Sequence, residues 1–223
     1  MSHHFTFESR TAAGRILSRR IQDYAGRGNT VVLAVTPGGI PVGFEVAQTL
    51  KADMDILVIH KLEVPGQPQL AMGVVVSGDA RYLNKEVIRH INVSRNQFDQ
   101  IFNSAIMELH RRERAYRSEL EPIEVAGRDV ILVDDGIHSI DILRWTVLAL
   151  RARQPKTIIL AMPVTSDNIV DQLGNAVDEI ECVYTPHEFH NAREFYASFD
   201  DVSEQAAQDL LRQAASSRLG RLS

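Results

Sequence analysis

Two adjacent carboxylates carry the clearest chemical signal in this chain. Asp134 and Asp135 follow the apolar run 130–133 and come directly before Gly136. Adjacent side chains of like charge repel each other, so such a pair is typical of a site that binds a cation or hydroxyl groups. The alternative is that one carboxylate caps the following helix and the other is solvated, and the spacing alone leaves both interpretations open.

A glycine-rich turn is the second signal. Gly38 and Gly39 lie in the segment TPGGIP (36–41), between a predicted strand and a predicted helix. Backbone amides freed by the two glycines, together with the positive end of the helix, could hold an anion. A Gly-Gly pair is also an ordinary tight turn, and that is the more frequent meaning of this pattern.

Basic residues occur at two places of interest. Lys61 ends the predicted strand 54–62 and could reach a phosphate, although a surface lysine explains it as well. The basic run 110–117 belongs to a long predicted helix and has a glutamate among its arginines, which is typical of a solvated helix face. The arginines of this run are Arg111, Arg112, Arg114 and Arg117.

Apolar runs alternate along the chain with amphipathic stretches. Strands are predicted over 30–35, 54–62, 71–76, 129–134, 157–164 and 179–185. Helices are predicted from an N-cap at Ser9 to about 25, over 41–50, 94–118 and 139–153, from about 167, and over 203–217. This alternation predicts an α/β fold, a doubly wound parallel sheet flanked by helices. Ligands in that fold lie beyond the carboxyl ends of the strands.

The segment 63–92 breaks the alternation. Prolines and glycines punctuate it, and it is too long for a plain connection, which indicates a functional excursion from the sheet. The helix over 94–118 that follows has an extended apolar stripe, which is compatible with a homodimer. We therefore expect one domain over 1–223, with an inserted hood over about 63–118.

Composition limits the classes of function. The chain has 223 residues and a net charge of −5, which disfavours general nucleic-acid binding. Cys182 is the single cysteine, so neither an intrachain disulfide nor a cysteine-based zinc site is expected, and a reducing cytoplasm is the expected location. No apolar run is long enough to cross a membrane, and no signal peptide is visible.

Several stretches together resemble the type I phosphoribosyltransferase family, in a bacterial branch, over nearly the whole chain. These stretches are FESRTAAGRIL (7–17), GGIPVGFEVAQTL (38–50), KLEVPGQPQLAMG (61–73), RRERAYR (111–117), GRDVILVDDGI (127–137) and FYASFDDVS (195–203). The resemblance implies a parallel sheet flanked by helices, with a hood over the active site.

The resemblance also implies a substrate and roles for particular residues. The substrate would be phosphoribosyl pyrophosphate, or a nucleotide-like small molecule, bound with magnesium held through the substrate near the acids. Asp134 and Asp135 would hold the ribose hydroxyls, and Lys61 would lie near the pyrophosphate. The turn with Gly38 and Gly39 would hold the pyrophosphate itself. The loop that wraps the 5′-phosphate would contain Gly136, His138 and Ser139.

Both phosphate loops depart from the family pattern. The loop after the acids reads His138-Ser139-Ile140-Asp141, where the family has a small-residue loop rich in threonine and glycine. Asp141 would place a carboxylate at the helix N-terminus, where it competes with a phosphate. Pro37 stands at the position of a family arginine and offers neither a charge nor an N–H, and His60 stands where relatives commonly have arginine.

Three functions remain open on the sequence. The first is transfer of a phosphoribosyl group to an unidentified nucleobase or related acceptor, with magnesium as cofactor. The second is a catalytically inactive descendant that binds a ligand or a protein partner, and the third is metal-assisted hydrolysis by the acid pair. An aromatic cluster near the carboxyl end could stack on a base or pack in the core; its members are Phe189, Phe195, Tyr196 and Phe199.

Overall fold

The computed structural model describes residues 5–91, 93–136, 139–173 and 175–222. Its strands are β1 (Thr30–Val35), β2 (Asp53–Leu57), β3 (Ile59–Val64), β4 (Gln67–Val76), β5 (Ala80–Leu83), β6 (Asp129–Val133), β7 (Thr157–Val164) and β8 (Glu179–Tyr184). Its α-helices are α1 (Arg10–Arg20), α2 (Gly39–Leu50), α3 (Lys85–His90), α4 (Arg95–Arg117), α5 (Ile140–Arg151), α6 (Asp167–Leu173) and α7 (Glu204–Leu222).

The central sheet is parallel throughout and has the strand order β2-β1-β6-β7-β8. β1 lies between β2 and β6, so the chain runs from β1 towards one edge of the sheet and from β6 towards the other. A crevice therefore opens between the loops that follow β1 and β6. Ala34 pairs with Val133 at this end of the two strands. The doubly wound α/β fold predicted from the sequence is confirmed.

Both faces of the sheet are covered, because side chains of one strand alternate between them. In β1, Val32 and Ala34 belong to a core shared with α1, α2 and α7. Val31 and Leu33 belong to the opposite core, with α5 and α6. Strands buried on both sides must be apolar throughout, which is why the runs 30–35 and 157–164 predicted their strands without error.

A second sheet forms the inserted hood. β3, β4 and β5 are antiparallel neighbours in that order, and Leu62, Met72 and Val75 form a small core with Ala105 of α4. The partly buried apolar residues of α4 pack against this core, so its stripe has a partner within the chain; they are Phe98, Ile101, Phe102 and Ile106. A homodimer stays a prediction.

The prediction of a single strand over 54–62 was wrong. The chain leaves the central sheet at Val58, whose N–H donates to Ser77 Oγ at 2.9 Å while its carbonyl accepts from Ser77 N–H at 3.0 Å. It then continues as β3 in the hood. The apolar residues continue without a break from Ile56 to Ile59, across the junction at Val58, so the composition could not reveal the change of sheet.

Arg117 corrects another prediction. It lies at the end of α4 with its side chain only 7% exposed, and its Nε donates to Asp55 Oδ1 at 2.8 Å. Asp55 also accepts from the backbone N–H of Ile123 at 2.9 Å. The solvated face predicted for this basic run is therefore wrong at Arg117, whereas the exposed Arg111 and Arg112 both pair with Glu108.

The start of the described chain meets the segment 195–200 beside the crevice. Phe7 N–H donates to the carbonyl of Phe195 at 2.8 Å, and Ala197 N–H donates to the carbonyl of Phe7 at 2.8 Å. These bonds fix the start of α1 and the segment 195–200 against one another. Of the helices described, none combines the length and the apolar character needed to cross a membrane.

Candidate functional site

The acid pair lies where the sequence predicted it, directly beyond β6. Asp134 and Asp135 are each 9% exposed. Asp134 Oδ1 accepts the backbone N–H of Gly136 at 3.0 Å, which fixes this carboxyl against its own loop. Gly136 has φ 143°, and a Cβ there would lie 2.5 Å from Ala192 Cβ, so a glycine is required for the chain to turn away.

The glycine turn packs directly onto the acid pair. A Cβ on Gly39 would lie 2.7 Å from the carbonyl oxygen of Val133 and 3.2 Å from Asp134 Cα. A Cβ on Gly38 would overlap the carboxylate of Asp135. The glycines are therefore required by close approach, and the turn brings its backbone beside both carboxylates. The Thr36–Pro37 peptide in this turn is cis.

These residues open onto a cleft of about 440 Å³. Asp134, Asp135 and Gly136 form its floor with the turn beyond β1, and Lys61 of β3 reaches it from the hood. Gly38 and Ser139 also line the cleft, so it brings together all the predicted site residues within the described ranges except Gly39. Gly39 packs against the end of β6 instead. The remaining lining residues are Arg10, Val35, Thr36, Pro37, Ile59, Ile142, Leu143, Thr146 and Phe199.

The two carboxyls are electrostatically unequal. Burial raises the pKa of Asp134 well above its usual value, and the adjacent negative charge and hydrogen-bonding of Asp135 raise it further. The N–H groups of Gly136 and Asp135 oppose this increase only in part. Asp135 has a cation as partner, because Arg10 Nε lies 2.6 Å from its Oδ2. The site therefore holds one carboxyl that favours its proton and one that is paired with a guanidinium.

Arg10 is the site residue that sequence reasoning missed. Besides Asp135, its guanidinium donates to the carbonyl of Asp200 at 2.6 Å and lies 3.6 Å from the ring centre of Phe199. One signal was available: Arg10 begins α1, and a cation at a helix N-terminus is unfavourable unless another group compensates it. The compensating carboxylate lies 125 positions along the chain, which no local pattern reveals.

The predicted 5′-phosphate loop is described only in part. Ser139 caps α5, its Oγ accepting the N–H of Ile142 at 3.4 Å, and it also lines the cleft. His138 lies outside the described residues. Asp141 is exposed in the first turn of α5 and is not among the residues that line the cleft. The competing carboxylate therefore stands at the helix N-terminus without entering the cavity.

Lys61 also borders a second groove, of about 660 Å³, between β3 and α4. Its Nζ lies 3.4 Å from Glu63 Oε1, and both side chains are roughly half exposed, so this pair is weak. His60 lines the same groove, and burial together with the charge of Arg112 lowers its pKa. A neutral His60 supplies no positive charge in place of the family arginine.

The aromatic cluster divides between core and cleft. Phe195 is fully buried and stacks on Phe189, with ring centres 5.7 Å apart. Tyr196 donates its O–H to the carbonyl of Asp135 at 2.6 Å, which ties the segment 195–200 to the acid pair. Phe199 lines the cleft under Arg10. Packing thus accounts for most of the cluster, and Phe199 is its member at the site.

The oxygen ligands of the acid pair fit magnesium only together with oxygens from a substrate. Within the described ranges, no group of three or more His, Cys, Asp or Glu side chains is placed to hold a metal ion. Magnesium prefers oxygen ligands and commonly retains waters or binds substrate phosphates beside one or two carboxylates. Asp134 and Asp135 would hold it only through such a substrate.

Comparison with known proteins agrees with the fold. The chain is 35% identical over 198 residues to two proteins of Mycobacterium tuberculosis, strains CDC 1551 / Oshkosh and H37Rv, each named "Putative phosphoribosyl transferase". The matched region is 89% of this chain and 44% of each relative, so the chain spans less than half the length of these relatives. The crystal structure of TT1426 from Thermus thermophilus superposes with a TM-score of 0.82 at 26% identity, covering 94% of this chain and 99% of that one.

The sequence model of the phosphoribosyl transferase domain matches residues 8–173, which include the acid pair, the glycine turn and Lys61. The match thus extends over most of the central sheet and the whole hood, and it confirms the resemblance seen in the sequence. The chain belongs to the type I phosphoribosyltransferase family.

Proposed function

We propose that this chain binds phosphoribosyl pyrophosphate in the cleft beyond β1 and β6 and transfers its phosphoribosyl group to a nucleobase or related acceptor. One observation carries the proposal. The turn at Gly38 and Gly39 packs on Asp134 and Asp135 with no room for a Cβ, and Gly38 and Lys61 line one cleft with the two buried carboxylates. A ligand with both a diol and anionic groups matches that combination.

The roles follow from chemistry and position. Asp134 and Asp135 would accept hydrogen bonds from the two ribose hydroxyls. Lys61 would lie near the pyrophosphate from the hood side of the cleft, and Ser139 would contribute its hydroxyl or backbone near the 5′-phosphate at the start of α5. Transfer passes through a cationic ribosyl centre, so the protein would act by positioning the ligand and by stabilising charge.

Magnesium would be held through substrate oxygens near Asp134 and Asp135, and when bound it supplies positive charge to the departing pyrophosphate. The chain's own contribution there is Lys61 and the amides of the glycine turn. Pro37 lines the cleft without an N–H, so this loop offers less to an anion than a loop with a donor at that position.

A non-catalytic, ligand-binding protein is the second candidate. The observation that favours it is Pro37, which lines the cleft in the turn that would hold the pyrophosphate and offers no N–H to an anion. Such a protein would bind a nucleoside, a nucleotide or a sugar without releasing pyrophosphate.

A double substitution discriminates the two candidates. Ile140→Gly with Asp141→Thr restores a small, uncharged loop at the start of α5. A degenerate site should gain affinity for phosphoribosyl pyrophosphate, whereas an adapted transferase should lose the activity it has. Asp171→Asn on the exposed surface of α6 is the matched control for removing one negative charge.

Transfer itself is tested by release of pyrophosphate. Wild-type protein is incubated with phosphoribosyl pyrophosphate, magnesium and a panel of purine, pyrimidine and pyridine bases. Acceptor-dependent release that disappears in Asp134→Asn and Asp135→Asn supports transfer. Binding without release for any base in the panel supports the second candidate.

A further inference from the structure

Arg10 holds Asp135 through a connected set of contacts. The guanidinium bonds to Asp135 Oδ2 and to the carbonyl of Asp200, both at 2.6 Å, and it stacks on Phe199. The side chain of Arg10 is 11% exposed and that of Asp135 is 13% exposed. An ion pair with so little water around it is screened weakly and fixes the orientation of both partners.

The acid pair is therefore supplied with positive charge by the chain itself. An isolated pair of neighbouring carboxylates attracts a metal ion, because a cation offsets the repulsion between them. Here the guanidinium already lies against Oδ2 of Asp135, so a positive charge stands beside the pair without a metal. Asp134 is held from the other side by the N–H of Gly136 at 3.0 Å.

We propose that Arg10 is a positioning residue that replaces a metal ion as the partner of Asp135. It holds this carboxylate in the orientation that accepts a ribose hydroxyl. Direct ligation of magnesium by Asp135 is thereby blocked, and magnesium enters the site only with the phosphates of the ligand. The identity of the ligand in this inference rests on the proposed function. The contact between Arg10 and Asp135 does not depend on it.

The residues before α1 and the segment 195–200 together maintain this arrangement. Phe7 is bonded to Phe195 and Ala197, and Tyr196 O–H donates to the carbonyl of Asp135 at 2.6 Å. The start of α1 and the segment 195–200 thus act as one support behind the carboxylate. The planar guanidinium bonds to two oxygens while it lies flat on the ring of Phe199, a combination that the compact ammonium of a lysine does not reproduce.

Calorimetric titration with magnesium chloride alone tests the proposal without any organic ligand. Arg10→Gln should bind magnesium at least about tenfold more tightly than the wild type, because Asp135 loses its cation. Arg10→Lys retains the charge and should stay near the wild type. Arg15→Gln removes an exposed arginine of the same helix, whose partner is Glu45 at 3.0 Å, and should leave the affinity unchanged. Equal magnesium affinity in Arg10→Gln and the wild type would overturn the proposal.

A second arm uses ribose 5-phosphate, which carries the diol but no pyrophosphate. The wild type should bind it equally well in the presence of magnesium and of a chelator, and Arg10→Gln should bind it at least about tenfold more weakly in the chelator. A wild type that needs magnesium for this ligand contradicts the role of Arg10, even if Arg10→Gln fails to fold. A wild type that binds no ribose 5-phosphate counts against the proposed function, and the magnesium titration then decides the role of Arg10.

Discussion

Gly39 lies so close to Val133 that a Cβ on the glycine would be 2.7 Å from the valine's carbonyl oxygen. The contact joins the first residue of α2 to the last residue of β6. It sets the distance between the glycine turn and the acid pair, which lie far apart in the chain. The geometry of the cleft therefore depends on the absence of one side chain.

Gly39→Ala should destabilise the protein by about 1–3 kcal/mol, because the methyl group must push a strand end and a helix start apart. Urea denaturation followed by circular dichroism measures the free energy of unfolding. Gly28→Ala is the matched control, since a Cβ at Gly28 has no atom within 4 Å and its φ is not in the left-handed region. Equal stability of the two variants would show that the turn does not pack as described.

Asp134→Asn should stabilise the ligand-free protein at neutral pH. Burial and Asp135 raise the folded-state pKa of Asp134 above its ordinary value of 3.8, so the protonated carboxyl is the favoured form in the fold. The stability from this proton is fully present below pH 3.8 and is lost as pH rises through the folded-state pKa. Each pH unit between the two pKa values is worth about 1.4 kcal/mol.

Thermal denaturation of Asp134→Asn and of the wild type measures this effect. The range from about pH 3.5 to 8 begins near the ordinary pKa of an aspartate. The two proteins should agree near the acid end and diverge with rising pH, with the variant more stable. Asp141→Asn, which removes an exposed carboxyl, is the matched control. A constant difference over the whole range, or a less stable Asp134→Asn at neutral pH, contradicts the raised pKa.

Asp55→Asn should be among the most damaging single substitutions outside the site. It removes one of the two carboxylates paired with the buried guanidinium of Arg117, the other being Glu113 at 3.0 Å, and it weakens the bond from Ile123 N–H. Breaking a buried ion pair in this manner costs about 3–5 kcal/mol. Denaturant titration should show that loss, whereas Glu108→Gln, which removes the partner of the exposed Arg111 and Arg112, should cost under about 1 kcal/mol. A similar cost for both would mean that burial does not strengthen the Asp55 pair.

Lys61→Met should weaken binding of phosphoribosyl pyrophosphate and leave ribose 5-phosphate binding unchanged. Lys61 reaches the cleft from β3, and its ammonium would contact only the pyrophosphate. Loss of one charged hydrogen bond is worth about 1.5–3 kcal/mol of binding free energy. Calorimetry with both ligands separates the two effects, and Lys85→Met at the exposed start of α3 is the control. An equal loss of affinity for both ligands would contradict a contact between Lys61 and the pyrophosphate.

Local chemistry explains which parts of the fold the sequence predicted. β1 and β7 were predicted with their observed bounds, because a strand buried on both faces is an unbroken apolar run. Ser9 and Ser94 were recognised as helix starts, and their hydroxyls accept N–H groups of α1 and α4. β5 escaped prediction, since it has only four residues and none of them is buried.

The unpredicted parts depend on partners far away in the chain. Arg117 resembles its exposed neighbours until Asp55 is placed beside it, 62 positions away. Arg10 belongs to a stretch that carried the family resemblance, but its role depends on Asp135 and Phe199. Asp134 and Asp135 were identified because they follow a strand end, which the α/β fold places at the ligand crevice. Lys61 was predicted at the end of a strand, but it lies within β3 of the hood and reaches the cleft from there.

The most direct test is titration calorimetry of the wild type and Asp134→Asn with phosphoribosyl pyrophosphate, with and without magnesium. The cleft described above predicts micromolar binding by the wild type in magnesium, about −8 kcal/mol, and a loss of at least about tenfold in affinity in the variant. Absence of binding by the wild type up to millimolar ligand would contradict phosphoribosyl pyrophosphate as the ligand of this site.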